Sequence, residues 1–135
     1  MRVLVADDSA VVRDRLVVML SEVCGVDVVG TAADGLEAID SFRRLRPDIV
    51  VLDIRMPKAN GIQVLEEIKE IDRSAVVLML TNYLYPQYRT RCMAAGADYF
   101  LDKSTEFDRI PELLAELRHA GKGGGGSGET SEEPT

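Results

Sequence analysis

Apolar runs of strand length alternate five times with segments of helical period along this chain, and that alternation confines it to a parallel sheet covered by helices. Arg2 to Ala6 reads as the first strand. Ser9 then caps a helix with Val12, Leu16, Met19 and Leu20 on its apolar face, ended by Gly25. Val26 to Gly30 is the second strand, and Asp34 caps a helix through Leu36, Ile39, Phe42 and Leu45 that Pro47 terminates. Asp48 to Leu52 turns continuously apolar after its first residue, the pattern of a strand buried on both faces at the sheet's centre. Asn60 caps a third helix carrying Ile62, Leu65 and Ile68 inward, with Glu66 and Glu70 outward. Ala75 to Leu80 is strand four. Asn82 to Pro86 is an irregular loop, Pro86 opens a short helix ending at Gly96, and Tyr99 to Leu101 is a short fifth strand. The last helix runs from Asp108 to Ala120, with Pro111 tolerated where first-turn amides lack internal partners.

Five such units in 135 residues predict one α/β domain over 1–120, a doubly wound five-stranded parallel sheet flanked by five helices in the order 2-1-3-4-5. A domain of this size buries roughly two-thirds of the surface its unfolded chain exposes, so it holds a proper core. Residues 121–135 are rich in Gly, Ser and Glu and carry no hydrophobic residue, which predicts a disordered tail. The apolar runs fall well short of the ~20 residues of a membrane span. The N-terminus enters a strand without a leader segment, so a cytoplasmic protein is expected. A net charge of −7 opposes attraction to a phosphate backbone, and the basic pairs Arg43 with Arg44 and Arg89 with Arg91 read as solvated helix faces. No direct nucleic-acid binding is expected. Cys24 and Cys92 lack metal-ligand spacing and read as reduced packing residues, and His119 near the end of the last helix suits its dipole.

In doubly wound sheets, ligands bind beyond the carboxyl ends of the strands where the winding direction switches, here between strands one and three. Asp7 and Asp8, Asp53, Thr81 and Lys103 each follow an apolar run, so the topology brings all of them to that end of the sheet. Crowded carboxylates repel one another, and a hard divalent ion such as Mg²⁺, with its preference for oxygen ligands, relieves that repulsion. Lys103 adds a compact positive charge and Thr81 a hydroxyl donor. Together they suit a cation and a phosphoryl group.

At these residues the chain resembles the receiver domains of bacterial two-component response regulators, of the chemotaxis-receiver type. The resemblance covers Met1 to about Ala120 and is carried by Val5-Ala6-Asp7-Asp8-Ser9, Val51-Leu52-Asp53-Ile54-Arg55-Met56-Pro57, Asn60-Gly61, Leu80-Thr81 and Phe100-Leu101-Asp102-Lys103-Ser104. It implies a flavodoxin-like fold and places Asp53 as the phosphoacceptor, attacking the phosphohistidine of a sensor histidine kinase or phosphotransfer protein, or a small phosphodonor. It implies Mg²⁺ or Mn²⁺ held by Asp8 and Asp53, by Asp7 through ordered water, and by the backbone carbonyl of Arg55. Lys103 and Thr81 would hold phosphoryl oxygens. Thr81 and Phe100 would form the switch that alters the surface of helix four, strand five and helix five.

Asn82 stands where relatives most often carry Ala or Gly, which narrows access to the phosphoryl site. Arg55 and Tyr83 match positions that tune dephosphorylation in the family. Tyr83, Tyr85, Tyr88, Tyr99 and Phe100 are five of the chain's seven aromatics and mark a partner surface, with local packing of a short helix as the alternative. No DNA-binding or enzymatic unit follows Ala120, so the expected output is contact with a downstream protein in trans, or a dimer formed on phosphorylation, unless the chain is a fragment of a larger regulator. A Mg²⁺-dependent aspartyl-phosphate phosphohydrolase is the competing reading, but it needs a second acid and a cap that a chain this short leaves no room for. A flavodoxin-like cofactor binder would need a phosphate-cradling loop after strand one, where Asp7 and Asp8 stand instead. A receiver catalyses only its own phosphorylation and dephosphorylation, without turnover of a substrate.

Overall fold

The computed structural model describes residues 1–120. The expected tail at 121–135 lies outside the described residues. The chain runs β1 (Arg2–Ala6), α1 (Ala10–Ser21), β2 (Asp27–Ala32), α2 (Gly35–Leu45), β3 (Ile49–Leu52), α3 (Gly61–Ile71), β4 (Val76–Thr81), α4 (Pro86–Ala94), β5 (Tyr99–Asp102) and α5 (Ile110–His119). A 3-10 turn at Phe107–Arg109 leads into α5. The five strands form one parallel sheet in the order β2-β1-β3-β4-β5, as the alternation predicts.

Polar caps start the helices where they were expected. Ser9 Oγ accepts from the Val12 amide at 3.2 Å, and Asp34 Oδ1 from the Glu37 amide at 2.8 Å. At α3 the arrangement is reciprocal, with Asn60 Oδ1 accepting from Gln63 N at 3.0 Å and Gln63 Oε1 from Asn60 N at 2.9 Å. Alternation along each strand divides the core into two layers. Leu4, Ala6, Val50, Leu52, Val77, Met79 and Phe100 pack beneath α2, α3 and α4, while Val3, Val5, Ile49, Val51, Leu78, Leu80 and Leu101 pack beneath α1 and α5. Leu52, Leu78 and Leu80 are at most 1% exposed, so truncating any of them to Ala costs about 2–5 kcal/mol.

The structure differs from the sequence-based expectation at several edges. β2 begins at Asp27 and continues past Gly30 to Ala32, because β1 needs a backbone partner along its whole length and Ala6 pairs with Ala32. Tertiary pairing outweighs the turn tendency of Gly30. Thr81 is the last residue of β4 rather than the first beyond it, and Asp102 extends β5 opposite it. Asp108 belongs to the 3-10 turn, so α5 starts at Ile110. The second helix ends at Leu45, capped by Arg46 in the left-handed conformation at φ 47°, before Pro47 is reached. Leu36 is 57% exposed, because it falls on the outer side of a stripe made by Ala38, Ile39 and Phe42. The first helix stops at Ser21, and Cys24 lies exposed in the following turn; only Cys92 is a buried packing cysteine.

Candidate functional site

Neighbouring strand ends supply the site. The Asp53 amide donates to Ala6 O at 3.2 Å and the Lys103 amide to Thr81 O at 2.9 Å, so Asp53 emerges beside the end of β1 and Lys103 beside the end of β4, all at one end of the sheet. Asp7, Asp8 and Asp53 present carboxylate oxygens that all lie within 4.8 Å of one another. The Lys103 ammonium reaches two of these acids, at 2.7 Å from Asp53 Oδ2 and 2.7 Å from Asp7 Oδ2. Asp53 Oδ1 accepts from the Ile54 amide at 2.7 Å, and Asp7 Oδ1 from the Ser9 amide at 2.9 Å. Asp7 and Asp53 are buried, whereas Asp8 is exposed and makes no ion pair among the described residues.

Charge balance follows from this inventory. Three carboxylates face one ammonium, which leaves negative charge in excess at a point where one acid has oxygens open to a ligand. That donor set suits a hard divalent cation, which takes oxygen ligands and completes its shell with water. Burial alone would pull the Lys103 pKa down, but hydrogen bonds and charges from Asp53 and Asp7 outweigh it and leave the ammonium above its ordinary value. Lys103 is therefore a fixed positive charge at neutral pH.

Thr81, fully buried, ends β4 beside this group, and its Oγ1 accepts from the Tyr83 amide at 3.0 Å. Asp8, Asp53, Arg55, Asn82, Tyr83 and Lys103 line one cleft of about 440 Å³. Across its mouth the Arg55 guanidinium sits 4.9 Å from the centre of the Tyr83 ring. Asn82 bridges to the next loop, where its Oδ1 accepts from Ser104 Oγ at 3.0 Å. Its amide is thus held at the cleft wall.

The candidate partner residues are divided by the sheet. Phe100 is 8% exposed and packs in the layer beneath α4, with the half-buried Tyr88 against it, while Tyr99 points into the opposite layer. Arg89 covers the Phe100 ring, its guanidinium carbon 5.5 Å from the ring centre. Tyr85 is 59% exposed and meets Tyr88 edge to face at 5.8 Å. Phe100 is therefore a buried residue of that layer.

Two contributors were not assigned roles from sequence. A Cβ on Gly61 would lie 1.9 Å from the Asp53 carbonyl oxygen, so only glycine lets the start of α3 close against the residue at the centre of the site. Its amide donates to Ile54 O at 2.7 Å. Arg13 donates from Nη1 to the Asp7 carbonyl at 2.8 Å. The available signal was its place in the first turn of α1, from which a long side chain folds back over the turn after β1.

Residues 3–115 match the family model of the response regulator receiver domain. The protein-glutamate methylesterase/protein-glutamine glutaminase 1 of Methanospirillum hungatei is 42% identical over 120 residues, covering 87% of this chain and 35% of that protein. The chain thus spans about a third of that relative's length. Chemotaxis protein CheY of Thermotoga maritima is 35% identical over 113 residues, which cover 84% of this chain and 93% of CheY. Among solved structures, the CheX-CheY-BeF3-Mg²⁺ complex from Borrelia burgdorferi is similar at a TM-score of 0.77 and 35% identity, covering 88% of each chain. By sequence and by fold, the chain belongs to the response regulator receiver domain family.

Proposed function

We propose that this chain relays a signal by accepting a phosphoryl group on Asp53 from the phosphohistidine of a sensor histidine kinase or phosphotransfer protein, or from a small phosphodonor. The observation that carries the reading is the placement of the Asp53 carboxylate, buried at the end of β3, against the Lys103 ammonium and beside the Asp7 and Asp8 acids. In the transfer, an Asp53 oxygen forms a bond to phosphorus as the phosphorus–nitrogen bond of the donor breaks. The imidazole leaves with the electron pair. Mg²⁺ or Mn²⁺, when bound by Asp8 and Asp53 with Asp7 behind them and the Arg55 carbonyl as a further ligand, supplies charge to the phosphoryl oxygens.

The protein's own part is positioning and electrostatics, which is most of what phosphoryl transfer requires. Lys103 offers a preorganised positive charge to an equatorial oxygen. The Thr81 oxygen already accepts from the Tyr83 amide, which leaves its proton free to donate to another. Such a contact would pull on the loop after β4 and on Tyr83, altering the face of α4, β5 and α5 with Phe100 beneath it. Leu84, Tyr85 and Met93 are exposed there at 46%, 59% and 42%, suiting a protein partner.

Incubation with acetyl phosphate and Mg²⁺ tests the reading. A single hydroxylamine-sensitive phosphoryl group is expected on the wild type and none on Asp53→Asn. Full labelling of that variant would overturn the assignment, and steady turnover of phosphomonoesters would point to a phosphohydrolase instead.

A further inference from the structure

We infer that Arg13 is a positioning residue for the cation site, holding the Asp7–Asp8 peptide so that Asp8 is presented to the ligand alongside Asp53. The inference rests on Asp8 and Asp53 being cation ligands.

Every polar atom of Asp7 is engaged. Its amide donates to Ala32 O at 3.0 Å, Oδ1 accepts from Ser9 N at 2.9 Å, Oδ2 pairs with Lys103 at 2.7 Å, and the carbonyl accepts from Arg13 Nη1 at 2.8 Å. The last of these is the unusual one. Asp53 N already pairs with Ala6 O, so the Asp7 carbonyl falls past the end of β1 in a residue only 2% exposed. A buried carbonyl there needs a donor from elsewhere, and Arg13 provides it.

Position and charge make the contact informative. Arg13 stands in the first turn of α1, a turn without acidic residues, where a positive side chain opposes the helix dipole. Folding the guanidinium back onto a carbonyl offsets that disadvantage. A peptide unit is planar, so fixing the Asp7 carbonyl also fixes the Asp8 amide and the direction in which Asp8 leaves the turn. Asp8 is the acid with no ion pair of its own among the described residues, and its orientation depends on this backbone.

The two effects of removing Arg13 have opposite signs. Loss of a positive charge near a cation site tightens cation binding by Coulomb's law. Loss of an outer support loosens it, by about 10- to 100-fold for typical groups behind metal ligands. Calorimetric titration with Mg²⁺ alone, on wild type, Arg13→Ala, Arg13→Lys and Asp8→Asn, separates them. The expected result is Arg13→Ala weakened by about tenfold or more, with Arg13→Lys in between because its ammonium keeps a charged donor but on a shorter, flexible stem without the planar guanidinium's fixed direction. Affinity in Arg13→Ala equal to or tighter than wild type overturns the inference. Should Arg13→Ala fail to fold by circular dichroism, Arg13→Lys decides: a several-fold weakening supports the role, and unchanged affinity overturns it. Wild type that takes no Mg²⁺, or takes it equally after Asp8→Asn, overturns the cation site itself. Wild-type binding lost in Asp8→Asn but untouched in both Arg13 variants overturns only Arg13.

Discussion

Lys103 and Asp53, 50 residues apart in the chain, meet at 2.7 Å over the carboxyl end of the sheet, and the same ammonium lies 2.7 Å from Asp7. One cation thus ties the ends of β1 and β3 to the loop after β5. The pairing holds the Asp53 and Asp7 carboxylates in place, while Asp8 makes no ion pair among the described residues.

Replacing Lys103 with Met removes the partner of two buried carboxylates, and breaking a buried pair in this way costs roughly 3–5 kcal/mol. Because the folded-state pKa of Lys103 is raised above the ordinary value of 10.5, its contribution is fully present below that value and lost as pH rises through the raised one. Urea unfolding of both proteins should show a gap that holds at neutral pH and narrows only on the alkaline side of the lysine range. A gap already closing between pH 7 and 9, roughly where a lysine of ordinary pKa would still be charged, contradicts the assignment.

Mg²⁺ should raise the melting temperature by binding only the folded chain, equivalent to about 1.4 kcal/mol at ten times its dissociation constant. Asp8→Asn should abolish the response without disturbing either Lys103 contact. A variant that melts higher with Mg²⁺ to the same degree as wild type would remove Asp8 from the ligand set.

The Arg55 guanidinium lies 4.9 Å from the Tyr83 ring in the lining of the Asp53 cleft, and on the proposed function the pair would shield a phosphoryl group from water. Substituting both with Ala should speed hydrolysis of the aspartyl phosphate, followed as decay of label after donor removal. An unchanged decay rate would refute the shielding role.

Gly61→Ala would press a methyl group into the Asp53 carbonyl, so α3 must shift away from the site. Overpacking of this kind costs typically 1–3 kcal/mol, about as much as losing one good helix cap. Slower labelling should accompany the loss of stability, because the strain falls on the backbone of Asp53, the proposed acceptor. Wild-type labelling kinetics in this variant would show that the contact is merely structural.

Sheet order, helix caps and the meeting of Asp7, Asp8, Asp53, Thr81 and Lys103 were legible because each depends on short-range pattern: a run of apolar residues, a capping residue, a polar residue at the strand's end. What was not legible depends on tertiary geometry. Leu36 has the right spacing for a buried stripe but faces outward, because the sheet beneath α2 meets Ala38, Ile39 and Phe42 instead. Tyr99 and Phe100 look like one aromatic patch in sequence, yet the alternation of a strand sends them to opposite layers. Arg13 and Gly61 act through backbone carbonyls, so the sequence offered only their places, Arg13 in the first turn of α1 and Gly61 after the Asn60 cap, and not the contacts they make.

The most direct test is to identify the residue that carries the phosphoryl group. The wild-type protein, labelled from a phosphorylated histidine kinase or acetyl phosphate with Mg²⁺, is reduced with borohydride and mapped by peptide mass spectrometry. Homoserine at position 53 alone is the predicted result; modification at Asp7, Asp8 or any other acid, with Asp53 intact, would contradict it.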